Sequence, residues 1–143
     1  GDIFAAPPRT LLIHACNTEG SWGAGIAKAF KEHYPSAYET YHDHCLKHGS
    51  KLHSTALLIP PSETDGPGHF VGCLFTSRSK GKKKDSPGKI LEVTGPAMRD
   101  LLRRVTEWNE GKGEGERVGE VWMCKINSGL FGVKWGDTRS VLE

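Results

Sequence analysis

The 143-residue sequence lacks the features that mark membrane-spanning, secreted or general nucleic-acid-binding proteins. No stretch approaches the roughly 20 apolar residues of a membrane span, and none has the pattern of a secretory signal peptide. The net charge of +2 is too small to indicate a nucleic-acid-binding surface. The four cysteines are spread out without a C-x-x-C pair, which is typical of reduced thiols. We therefore expect an intracellular protein without a membrane partner.

The familiar nucleotide-binding and metal-binding patterns are also missing. No Gly-rich turn carries the Lys followed by Ser or Thr of the nucleoside-triphosphate loop, and Gly20, Gly23 and Gly25 lack the order of the dinucleotide fingerprint. His44 and His48 are spaced to share a helix face, but the Glu of the H-E-x-x-H motif is absent. We therefore predict neither a metal ion nor a cofactor.

Apolar runs alternate with segments of helical periodicity along the whole chain. Strands are predicted over residues 10–15, 55–59, 70–76 and 121–126, and helices over 24–33, 36–48 and 89–108, with one more after residue 136. Gly95-Pro96 predicts a kink or a break in the third helix. This alternation indicates an α/β fold with a mostly parallel sheet. We expect a single domain over residues 1–143, whose first strand and whose last helix end lie outside this chain.

A Gly-rich turn connects the first predicted strand to the first helix, within residues 14–27. Such a turn leaves backbone N–H groups free at the helix start, and Gly23 and Gly25 allow a ligand to approach the main chain. We interpret it as a phosphate cradle; the alternative is a tight turn that needs glycine for its backbone angles. A second Gly-rich turn, residues 128–132, follows the last predicted strand. Both can face one site because the strand ends of an open α/β sheet meet at one edge.

Two polar side chains near the end of the first strand are candidates for chemistry. Asn17 carries an amide that both donates and accepts, which suits a pair of ribose hydroxyls, although it can also satisfy the backbone of its own turn. Strand alternation predicts that His14 and Cys16 share one face, whereas Asn17 lies on the other with Ile13 and Ala15. His14 is then either a proton-transfer group or a hydrogen-bonded core histidine.

Three separated segments resemble the macro domain family. Gly1-Asp2-Ile3-Phe4 is similar to the family's Gly-Asp-Ile start, residues 14–27 to its ADP-ribose-binding loop, and residues 126–133 to its second phosphate loop. Within the family, the pattern H-x-C-N-x-x-G-S-W-G-x-G-I-A with N-S-G-x-F-G-V-x-W resembles the fungal ADP-ribose 1″-phosphate phosphatases. The resemblance covers nearly the whole chain.

The resemblance implies a fold, a ligand and a reaction. The fold is the three-layer macro domain fold, with a mostly parallel mixed sheet between helices. The expected ligand is ADP-ribose or ADP-ribose 1″-phosphate, and the expected reaction is hydrolysis of the terminal phosphate to give ADP-ribose and phosphate. The alternatives are an ADP-ribosyl hydrolase acting on modified protein or nucleic acid, or a non-catalytic reader of ADP-ribose. Nucleic acid is expected as a partner only when ADP-ribosylated, and the protein is expected to be a monomer.

The site residues follow from the same resemblance. His14 and Asn17 are the implied catalytic residues, and Asp2 is expected to hold the adenine amino group. The implied ligand-binding residues lie in the opening segment and the two loops: Asp2, Ile3, Asn17, Ser21, Trp22, Gly23, Ala24, Gly25, Ile26, Ser128, Gly129, Leu130, Phe131 and Gly132.

The sequence departs at two places from the patterns of other macro domain hydrolases. Many hydrolases that remove ADP-ribose from carboxylates carry three consecutive glycines, where this sequence has Gly23-Ala24-Gly25. Another group carries an Asp directly after the Gly-Leu of the second loop, where this sequence has Phe131. That second group also uses a Lys in the middle segment, a role that Lys80 or a neighbour could imitate, so the missing Asp weakens the lysine-type hydrolase alternative.

Overall fold

A four-stranded mixed sheet forms the centre of the fold in the computed structural model, which describes residues 3–23, 25–65, 68–78 and 87–123. The strands are β1 (Leu11–Asn17), β2 (Ala56–Ile59), β3 (Phe70–Ser77) and β4 (Val121–Met123), in the order β2-β3-β1-β4. β3 and β4 run parallel to β1, whereas β2 pairs antiparallel with β3 at the edge. The predicted α/β class with a mostly parallel mixed sheet is confirmed.

Helices cover both faces of this sheet. α1 (Gly25–His33) and α2 (Pro35–His48) pack on one face, and α3 (Pro87–Glu110) packs on the other. α1 ends before Tyr34-Pro35, as the sequence predicts, because Pro35 excludes the residue before it from the helical region. Within the described ranges, no helix is both long and apolar enough to cross a bilayer.

The alternation of β1 divides the core into two layers. Leu12 and Cys16 face α1 and α2, while Leu11 and Ile13 face α3. Because successive side chains of a strand point to opposite faces, a fully buried run of this kind needs cover on both sides. The layer under α1 and α2 is the aromatic one, and it lies directly behind the first Gly-rich turn.

The third helix continues where the sequence predicts a kink or a break. α3 is a single helix with Pro96 inside it, so a break at Gly95-Pro96 is wrong. Proline removes one hydrogen bond from a helix. Here Ala97, Met98 and Leu101 are fully buried against the sheet just after it, and this packing keeps the two halves in one element.

α3 approaches the sheet closely at Gly72 of β3. A Cβ atom at Gly72 would lie 3.0 Å from Leu101 Cδ2 and 3.2 Å from Leu11 Cδ1. The helix therefore packs against bare backbone at this position, and a larger residue would have to push the two leucines apart.

We expect Gly72→Val to lower the free energy of unfolding by about 1–3 kcal/mol through overpacking, measured by urea denaturation. Gly111→Val is the matched control, since a Cβ at exposed Gly111 meets no atom within 4 Å. That control should change stability by less than about 0.5 kcal/mol. Equal effects of the two substitutions would contradict the close approach of α3.

Candidate functional site

The first Gly-rich turn lies at the carboxyl end of β1, between Asn17 and the start of α1 at Gly25. Because β1 and β3 are parallel, their carboxyl ends meet at the same edge of the sheet. Thr18 joins them: its N–H donates to Ser77 O at 3.0 Å, and its hydroxyl donates to Arg78 O at 2.8 Å. The turn is thus fixed to the end of the neighbouring strand.

The side chain of Asn17 closes this turn. Its Oδ1 accepts from the N–H groups of Glu19 (3.0 Å) and Ser21 (3.3 Å), and its Nδ2 donates to Ser21 O at 2.8 Å. The alternative in which Asn17 satisfies its own backbone is therefore what the structure shows. One of the two Nδ2 hydrogens has no partner among the described residues, so the amide can still donate one hydrogen bond to a ligand.

The side chain of Asn17 contacts Tyr41 of α2, although strand alternation predicts that it shares a face with Ile13, which packs under α3. The pairing of β1 with β3 is irregular here: Cys16 pairs with Phe75 and Asn17 with Ser77, so the extra residue is Thr76 of β3. The two-residue period of β1 itself is unbroken. Asn17 reaches α2 from the last position of the strand, where the chain turns towards α1.

Three side chains of α2 hold the turn from behind. The Tyr41 hydroxyl lies 2.7 Å from Asn17 O and 3.0 Å from Asn17 Oδ1. The Tyr38 hydroxyl and His42 Nδ1 each lie 3.0 Å from Gly20 O. Gly20 has a φ of +81°, a conformation that favours glycine, and a Cβ there would be 3.0 Å from His42 Nδ1.

Sequence reasoning missed this group, the α2 clamp (Tyr38, Tyr41 and His42). As residue types, the two tyrosines suit an apolar helix face and His42 a polar one, so none of them stands out in the sequence. The available signal was their i, i+3, i+4 spacing, which places three polar-tipped side chains on one helix face.

His14 is buried in the aromatic layer, with 1% of its surface exposed. Its ring stacks on Phe30 at a centroid distance of 4.0 Å, and Trp22 packs edge-on to it at 4.9 Å. The thiol sulfur of Cys16 lies 3.5 Å from its Nε2. These contacts support the core alternative, while the catalytic role of His14 stays a prediction.

Trp22 also lies in the core although it belongs to the turn. Its ring is 1% exposed and stacks on Tyr41 at 4.8 Å. The indole N–H has no hydrogen-bond partner among the described residues. The side chain therefore supports the turn from within, and a contact between Trp22 and the ligand stays a prediction.

The other predicted site residues divide into two groups. Gly23, Gly25 and Ile26 are exposed at the start of α1, where Ser21 is half-buried, and Ile3 is half-buried in a short 3-10 turn. The structure brings Asn17, Ser21, Gly23 and Gly25 together around one turn. The predictions for Asp2, Ala24, Ser128, Gly129, Leu130, Phe131 and Gly132 lie outside the described residues.

One cluster in the described residues has the donor types of a soft-metal site. One ligand atom each of His14, Cys16 and Cys73 lies within 4.8 Å of the others, and all three residues are buried. Structural zinc sites take four ligands, and the described residues offer no fourth His, Cys, Asp or Glu at this distance. Burial also raises the pKa of the Cys16 thiol, which favours its neutral form. We therefore assign the cluster to the core.

Comparison with known proteins gives a consistent result. A sequence model of the Macro domain matches residues 13–142. The chain is 52% identical over 149 residues to the ADP-ribose 1″-phosphate phosphatase of Chaetomium globosum, and 42% identical over 171 residues to that of Aspergillus clavatus. Each match covers all of this chain, with 80% and 86% of the respective relative.

Solved structures resemble the fold at lower sequence identity. The macrodomain of Mycobacterium tuberculosis DarG superposes with a TM-score of 0.68 at 24% identity, covering 99% of this chain and 83% of that chain. Thermosipho africanus DarTG in complex with ADP-ribose gives a TM-score of 0.67 at 20% identity, covering 99% of this chain and 36% of that one. These similarities concern the fold.

The two roles of His14 can be separated with His14→Ala. Because the ring is enclosed by Phe30 and Trp22, we expect the free energy of unfolding to fall by about 2–5 kcal/mol, as for other buried large-to-small changes. Turnover per folded molecule should then be unchanged in the phosphatase assay described below. If kcat instead falls by roughly 10²–10⁴-fold with ADP-ribose affinity intact, the acid–base prediction is correct.

Proposed function

Because the chain belongs to the macro domain family, we propose that it binds ADP-ribose and hydrolyses the terminal phosphate of ADP-ribose 1″-phosphate, giving ADP-ribose and phosphate. The observation that carries this proposal is the identity of 42% and 52% to two ADP-ribose 1″-phosphate phosphatases across the whole chain. The protein is then an enzyme, a phosphatase of the hydrolase class.

The geometry of the first turn supports the binding part of the proposal. Gly23 and Gly25 are exposed where α1 begins, and Gly25 has a φ of +59° with no atom within 4 Å of an added Cβ. Free N–H groups and the positive end of the helix dipole favour a phosphate at such a start. The remaining N–H of Asn17 lies beside this turn and suits a hydroxyl or phosphate oxygen.

The chemistry proposed for the site depends on main-chain groups and a positioned water. Phosphate hydrolysis adds the oxygen of water to phosphorus and breaks the bond to the leaving oxygen, which takes a proton. Donors that are already fixed stabilise the charge that develops, without reorganising during the reaction. Ser128, Gly129, Leu130, Phe131 and Gly132 are proposed as the second set of such groups, and Asp2 as the acceptor for the adenine amine.

We also propose that the protein works as a monomer in an intracellular compartment. The described cysteines, Cys16, Cys45 and Cys73, are all free and buried, which agrees with a reducing environment. Size-exclusion chromatography with light scattering tests the oligomeric state.

The reaction is tested directly with the purified chain, two substrates in parallel and ADP-ribose as a binding ligand. We expect release of inorganic phosphate from ADP-ribose 1″-phosphate, and one binding site per chain for ADP-ribose by calorimetry. An ADP-ribosylated protein should be cleaved much more slowly. Preferential cleavage of the modified protein would identify an ADP-ribosyl hydrolase instead, and binding without turnover of either substrate would identify a reader.

Gly23→Val tests whether the first turn is the phosphate cradle. Among the described residues other than its chain neighbours, only Ser21 Oγ, at 3.3 Å, lies within 4 Å of an added Cβ, so the substitution should change the free energy of unfolding by less than about 0.5 kcal/mol. The branched side chain should nevertheless block close approach to the main chain and weaken ADP-ribose binding at least tenfold. Gly111→Val is again the control. Normal binding by Gly23→Val would show that the cradle lies elsewhere.

A further inference from the structure

The Tyr41 hydroxyl contacts Asn17 at two oxygens, although Tyr41 lies on a different element. The distances are 2.7 Å to the main-chain oxygen and 3.0 Å to Oδ1. The ring is 0% exposed and is stacked between Trp22 at 4.8 Å and Phe75 at 6.0 Å. The hydroxyl is therefore presented to Asn17 from a rigid support.

The amide of Asn17 has a defined orientation, which makes this contact informative. Two main-chain N–H groups face Oδ1 and one main-chain oxygen faces Nδ2, so exchanging the two amide atoms would break all three hydrogen bonds. The single hydroxyl hydrogen of Tyr41 is shared between Asn17 O and Oδ1, and so adds a donor on the Oδ1 side. Burial raises the pKa of Tyr41 above its ordinary value, so the hydroxyl keeps its proton and remains a donor.

We propose that Tyr41 is a positioning residue, whose hydroxyl fixes Asn17 so that the second N–H of its amide is held ready for an oxygen of the bound ADP-ribose moiety. This inference rests on the proposed function. Tyr41 does not touch the ligand; it acts through Asn17. Preorganised donors of this kind improve binding and turnover because their direction is set before the ligand arrives.

The same helix offers a matched comparison. Tyr38 also donates its hydroxyl to the turn, but to Gly20 O, where His42 Nδ1 supplies a second contact at 3.0 Å. Tyr38→Phe and Tyr41→Phe therefore each remove one hydroxyl from α2 and keep the ring. Only Tyr41→Phe removes a contact to Asn17.

The experiment is a double-mutant cycle on the full chain. Tyr41→Phe and Tyr38→Phe are each made alone and together with Asn17→Ala, and kcat, KM, the ADP-ribose Kd and the free energy of unfolding are measured. We expect Tyr41→Phe alone to lower kcat/KM roughly fivefold to tenfold, as for the loss of one hydrogen bond. In the Asn17→Ala background it should lower kcat/KM less than twofold, because no amide remains to be positioned. Tyr38→Phe should have the same small effect in both backgrounds.

Equal effects of Tyr41→Phe in the two backgrounds would overturn the proposal, even if stability falls, because a merely structural hydroxyl shows no coupling to Asn17. The ADP-ribose Kd gives the same cycle without catalysis. The unmodified chain could bind ADP-ribose without phosphatase activity, while the effect of Tyr41→Phe on Kd depends on Asn17. That result would disprove the proposed reaction and support the positioning role. Absence of both activity and binding in the unmodified chain would overturn both.

A second measurement does not depend on kinetics. In ¹⁵N-labelled protein, the side-chain amide hydrogen of Asn17 that is bonded to Ser21 O should exchange with solvent several-fold faster in Tyr41→Phe than in the unmodified chain or in Tyr38→Phe. Unchanged exchange in Tyr41→Phe would show that the turn alone orients the amide, and would overturn the inference.

Discussion

One carboxamide determines the shape of the turn at the end of β1. A chain that leaves a strand and must start a helix a few residues later has several main-chain N–H and C=O groups without strand or helix partners. Asn17 supplies three of those partners, to Glu19 and to both main-chain groups of Ser21. Gly23 and Gly25, further along the turn, are exposed to solvent, where the proposed phosphate would approach the main chain.

This arrangement leaves main-chain oxygens on the buried side of the turn that need hydrogen-bond donors. The carbonyl groups of Asn17 and Gly20 point towards an aromatic layer, where an unpaired oxygen would be unfavourable by roughly 1–3 kcal/mol. The α2 clamp supplies their donors. α2 is itself fixed at its start by the buried Asp65, whose two oxygens accept from Ser36 N at 3.1 Å and Ala37 N at 2.9 Å. A residue after β2 thus caps the helix that supports the turn after β1.

The parts of the fold that follow from periodicity could be predicted, and the parts that follow from individual contacts could not. All four strands and three helices appear where the apolar pattern places them, although β4 is described only as far as Met123. The continuity of α3 through Pro96 was missed because it depends on packing against the sheet. The contact of Asn17 with α2 was missed because it depends on how the chain turns at the end of β1. The role of Tyr41 was missed because one of the two atoms that its hydroxyl contacts is a main-chain oxygen. Every residue has such an oxygen, so the sequence does not show which one is contacted.

The burial of His14 and Trp22 shows that part of the motif lies in the core behind the turn. Both residues stand in the motif that carries the resemblance to phosphatases, yet both lie behind the turn and pack on Phe30 or Tyr41. The motif therefore includes core residues that support the turn, in addition to the residues expected to contact the ligand. Because the ligand would face main-chain N–H groups that are chemically alike in any sequence, the specificity of the site depends on where those groups point. Asn17 and the α2 clamp fix the turn from Asn17 to Ser21, directly before these groups, so substitutions in α2 are a physical route to altered activity of the proposed site.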